Sequence, residues 1–87
     1  MTKHSISTTK EKILESADEP RTILFSAGEF STAVAVYVAT GETGDPDFVL
    51  CDEGTSAFLF TVPPMRSVFA WTDAGTAVLC TILIKAG

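Results

Sequence analysis

The groups in this chain that could do chemistry are few: one histidine, two cysteines and eleven acidic residues among 87. His4 would act as a general base or metal ligand only with partners, and none stands near it in the sequence. A surface histidine in a frayed polar segment is the favoured reading. Cys51 and Cys80 allow one disulfide at most, and each sits in an apolar run, so buried, reduced thiols are expected. Asp45, Asp47, Asp52 and Glu53 form the densest acidic neighbourhood but lack the alternating ligand spacing of a calcium loop. A solvated acidic loop, with no metal, is expected there. No Ser-His-Asp set can be assembled, and there is neither a GxSxG elbow nor a phosphate-cradling glycine loop before a helix. The expectation is a non-enzyme with no catalytic residues and no cofactor.

Residues that could bind are easier to find. Phe69 and Trp71, two apart, share a strand face and could stack on a sugar or a base, although core packing is the favoured reading. Phe30 follows Gly28-Glu29, where it would either plug one end of a sandwich or touch a partner, and both readings stay open. Met65 and Arg66 belong to residue types enriched in interfaces, yet an ordinary loop beside Pro63-Pro64 explains them as well.

The elements that must position these residues are strands. Helix signals are nearly absent, and even residues 9–17 (TKEKILESA) lack apolar partners at helical spacing, which favours a strand or extended arm. Six runs rich in Val, Ile, Phe, Thr and Tyr follow, at residues 21–26, 32–40, 48–51, 57–62, 67–72 and 76–85. Turn chemistry separates them: Ala27-Gly28-Glu29, the loop at 41–47, Asp52-Glu53-Gly54, Pro63-Pro64 and a hairpin turn at Asp73-Ala74-Gly75. With the N-terminal segment this gives seven or eight strands, and hence an all-β fold: a small antiparallel β-sandwich or jelly-roll-like barrel. Residues 1–12 are expected as an N-terminal arm and 13–87 as a single sandwich domain.

Composition narrows the partners. The net charge is -5, and the six basic residues are scattered, so direct nucleic-acid binding is disfavoured. No apolar run reaches the ~20 residues of a membrane helix. The polar start MTKHSISTTKEK shows no apolar signal core, which suggests an intracellular chain. A domain this small has a marginal core, and oligomerisation is an available stabiliser.

Period-two sorting exposes an oddity. In 76–85, Val78, Cys80, Ile82 and Ile84 oppose Ala77, Leu79, Thr81 and Leu83, so both faces are apolar. The bulkier set is expected in the core. Leu79 and Leu83 are then left to meet a second layer or a partner. In 32–40, Val34, Val36 and Val38 are expected to face inward.

Taken in order, the pieces resemble the small virion proteins of tailed bacteriophages of the capsid decoration (cement) or head-fibre-like kind. The pieces are the polar arm with Ser7-Thr8-Thr9, Arg21 opening ILF, Ala35-Val36-Tyr37-Val38, Gly54 to Pro63, and the closing pair Val68 to Ile84. The run GETGDPDFVL departs from that pattern. The resemblance implies a sandwich or jelly-roll subunit, a homo-oligomer and often a trimer, that binds the major capsid protein on the virion surface after assembly in the host cytoplasm. Partner-binding candidates are Met1, Thr2, Lys3 and His4 in the arm, with Phe30, Met65, Arg66, Leu79 and Leu83. Two other roles stay open: a minor tail or adaptor protein, and a small carbohydrate- or ligand-binding module using Trp71.

Overall fold

Alternating apolar runs joined by short turns satisfy their backbone by pairing antiparallel, because a parallel pair needs a long crossover connection. A computed structural model describes residues 2–87, and in it eight strands and no helix form. They are β1 (Thr2–Ile6), β2 (Glu11–Leu14), β3 (Arg21–Ser31), β4 (Ala35–Ala39), β5 (Phe48–Cys51), β6 (Ala57–Val62), β7 (Val68–Thr72) and β8 (Thr76–Ala86). One sheet, A, has the order β1-β8-β3-β6, and the other, B, the order β2-β7-β4-β5.

That order has a simple origin. The chain pairs first with last, second with seventh, third with sixth and fourth with fifth, as one long antiparallel hairpin would. Wrapping that hairpin around a core closes each sheet through two further antiparallel pairs, β3 with β8 and β4 with β7. This is the jelly-roll connectivity, so the expected all-β sandwich is what forms.

The core lies between the sheets. Ile6, Ile23, Phe25, Val36, Val38, Leu50, Val62, Val68, Ala70, Ala77 and Leu79 are buried there. At one end Phe48 of β5 packs against Phe25, Phe58 and Phe60, with ring centroids 4.8 to 5.2 Å apart. The exposed surface is 4831 Å², close to the roughly 4,900 Å² that size scaling gives for a compact monomer. The apolar residues left outside are therefore a feature of a closed subunit, not of an unfinished one.

Several expectations need correction. Residues 2–6, placed in an arm, are an edge strand paired along its length with β8 and anchored by buried Ile6. One apolar residue in TKHSI is a weak strand signal, and an edge needs only one strong anchor. The N-terminal segment is tied to the other sheet as well, where the Thr72 amide donates to the Ser7 carbonyl at 2.8 Å. Ala27-Gly28-Glu29 is not a turn. β3 runs through it, and the ladder shifts between Gly28 and Ser31, with Glu29 taking the positive φ of 46°.

The faces of β8 are reversed. Ala77, Leu79 and Thr81 point inward and are buried, whereas Ile82 and Ile84 are exposed and Val78 and Cys80 half-buried. Volume decides this. Thr81 stands beside Phe25 and Ala77 beside Ile6, so the smaller residues of β8 leave room for rings from β3, β5 and β6. In β7 the same rule places Val68, Ala70 and Thr72 inside and turns Phe69 and Trp71 outward. Val36 and Val38 face the core as expected, but Val34 is 62% exposed because β4 begins only at Ala35.

Candidate interaction surfaces

Sheet A presents an apolar outer face. Register sets Leu59 of β6, Leu24 of β3 and Ile82 of β8 side by side in one row, with Ala57, Ser26 and Cys80 in the next. Leu59 is 55% exposed and Ile82 37% exposed. The charged residues on this face stand at its margins, Lys3 on β1 and Lys85 near the end of β8. A third row is polar, with the Thr22 and Thr61 hydroxyls 3.1 Å apart.

Sheet B carries aromatics on its outer face. Tyr37 and Trp71 are cross-strand neighbours, stacked with centroids 5.5 Å apart. The Lys10 ammonium lies 4.7 Å from the Trp71 ring centre and 5.8 Å from that of Phe69. Trp71 thus has Tyr37 from the β4 side and Lys10 from the β2 side, which stabilises the sheet face.

Of the sequence-derived candidates, two pairs come together and the others are scattered. Met1 lies outside the described residues. Thr2 and Leu83 come together at an open depression of about 260 Å³ that Leu14, Arg21, Ile23 and Thr81 complete; Leu83 is 58% exposed. Met65 and Arg66 share a second depression with Lys12, Gly41 and Phe69, and Met65, at φ 64°, projects into solvent. Its amide donates to the Ala17 carbonyl at 2.7 Å, and the Arg66 carbonyl accepts from Arg21 Nη2 at 3.2 Å, so this turn is held from beneath. The remaining candidates are dispersed. Lys3 is exposed on the β1 edge, Phe30 packs against the core as a plug, and Leu79 is fully buried and available to no partner.

His4 is a correction of its own. It is half-buried opposite Leu79, with Nε2 shielded from solvent and unpartnered. Burial pushes its pKa below the ordinary 6.5.

The acidic residues do not converge. Asp47 is occupied by the Thr40 amide and hydroxyl at 2.7 and 2.9 Å, and among the described residues no group of three His, Cys, Asp or Glu side chains could hold a metal. Cys51 and Cys80 are free thiols on different sheets, half-buried instead of buried.

The residues that matter most on sheet A, Leu24 and Leu59, were not singled out from the sequence. Their signal lies in apolar residues on both faces of β3, β6 and β8, which become a patch only when register aligns the strands. Compared with protein families, curated proteins and solved structures, the chain matches none.

Proposed function

We propose that this chain is a non-catalytic structural subunit that self-associates and attaches to a larger protein shell, in the manner that its resemblance to phage capsid decoration proteins implies. The observation that carries this reading is the row of exposed Leu59 and Ile82 flanking half-buried Leu24 on a subunit whose own core is already closed. Jelly rolls serve in capsids, lectins and other proteins alike, so the fold alone chooses none of them. A bare apolar row suits a repeated protein lattice, where weak contacts of many copies add through multivalency. The proposed partners are the major capsid protein and further copies of this chain, at the virion surface.

The test is co-sedimentation of the purified protein with phage heads that lack it. The wild type should pellet with the heads, and Ile82→Lys should stay in the supernatant while keeping its β circular dichroism. A folded Ile82→Lys protein that binds heads as well as wild type overturns the placement of the contact, and no binding by the wild type overturns the shell role. A minor tail or adaptor role uses the same physics, and imaging the subunit on the particle separates the two.

A further inference from the structure

We infer that the free edge of β6 is the self-association site, where two copies pair β6 against β6 about a twofold axis and join their A sheets into one of eight strands. This rests on the homo-oligomer reading above and names its contact.

The four sheet edges differ in how they are protected. β1 carries Lys3 and His4, β2 carries Glu11 and Lys12 and a register shift, and β5 has only four residues between Asp47 and Asp52. Charges, bulges and short length are the usual guards against edge pairing. β6 has none of them: AFLFTV is six residues, uncharged, and in unbroken register with β3.

The hydrogen-bond phase fixes which groups are free. The Ala27 amide donates to the Ser56 carbonyl at 2.8 Å, so Ser56 and, two by two, Phe58, Phe60 and Val62 direct their backbone groups to β3. Ala57, Leu59 and Thr61 direct theirs to the open edge. A twofold axis through Leu59 sets Leu59 against itself and Ala57 against Thr61 of the second copy, which matches free donors to free acceptors and keeps each side chain on its own face. The pairing also covers Phe58, which is 41% exposed, and brings the two Leu59 side chains together.

The self-complementary phase about Leu59 selects a second copy as the occupant, and the lack of charge on β6 permits it. Two chains of net charge -5 repel, so a homotypic contact needs an uncharged centre, which β6 supplies. The antiparallel arrangement also sends the Asp52-Glu53 flank of one copy toward the Met65-Arg66 flank of the other.

Sedimentation velocity over a concentration series tests this, with amide exchange measured by NMR. Wild type is expected as a dimer, or an even multiple, in which the Ala57, Leu59 and Thr61 amides gain protection as concentration rises. Leu59→Lys, which sets two ammonium groups on the axis, should be a folded monomer. Thr61→Pro is a second variant: its missing amide faces away from β3, so the subunit keeps its fold while the dimer weakens. A wild-type monomer at every concentration overturns both this inference and the homo-oligomer reading. A trimer, or a dimer indifferent to Leu59→Lys and Thr61→Pro, overturns the β6 pairing and leaves that reading standing.

Discussion

The Asp73 carboxylate accepts the Val34 backbone amide at 3.0 Å, and with it those of Ala35 at 3.2 Å and Ala74 at 2.9 Å. One side chain thereby ties the β7-β8 turn to the entrance of β4, thirty-nine residues away. Three donors aimed at one carboxylate favour its charged form.

Stability should therefore decline over two pH ranges as acid is added. The Val34 amide bond, followed by those of Ala35 and Ala74, lowers the Asp73 pKa below its ordinary 3.8. Its stabilisation is complete above 3.8 and is lost as pH falls through the lower folded value. His4 acts at higher pH with the same sign: burial lowers its pKa from 6.5, so the folded state binds its proton less readily than the unfolded chain. Stability should begin to fall as pH drops below about 6.5. Urea midpoints across pH check this. His4→Gln should remove the upper decline, and Asp73→Asn the lower one.

Gly75 should tolerate no side chain. Its φ is 64°, and a Cβ there would collide with the Thr32 hydroxyl and the Ser31 carbonyl. The left-handed backbone alone costs an L-residue about 1–2 kcal/mol, and the collision adds to it. Gly75→Ala is expected to lose at least about 2 kcal/mol in chemical denaturation. Gly28→Ala is the contrast: nothing lies within 4 Å of its would-be Cβ, and the change should stay within about 1 kcal/mol.

Neighbouring leucine and isoleucine positions of β8 should differ sharply. Leu79 is wholly buried, so Leu79→Ala should cost about 2–5 kcal/mol by removing contacts and leaving a cavity. Ile82→Ala and Leu83→Ala empty exposed positions and should cost under about 1 kcal/mol. Equal losses at 79 and 82 would contradict the inward parity of Ala77, Leu79 and Thr81.

Strand composition and turn chemistry made the architecture legible in advance. The runs at 48–51 and 57–62 and the hairpin turn ending at Gly75 are found as expected, because apolar β-branched and aromatic residues between glycines and prolines have few other uses. The inward set of β6, Phe58, Phe60 and Val62, was likewise visible from its alternation. Tertiary structure decided what alternation could not. In β8 both faces are apolar, so the pattern carries no sign, and only the ring volumes of Phe25, Phe48, Phe58 and Phe60 determine which face must be the smaller one. Residues 2–6 became a strand because β8 offered them an edge, a partner seventy-odd residues distant that no local signal announces. The candidate surface followed the same rule: Leu24, Leu59 and Ile82 are far apart in the chain, and register alone makes them neighbours.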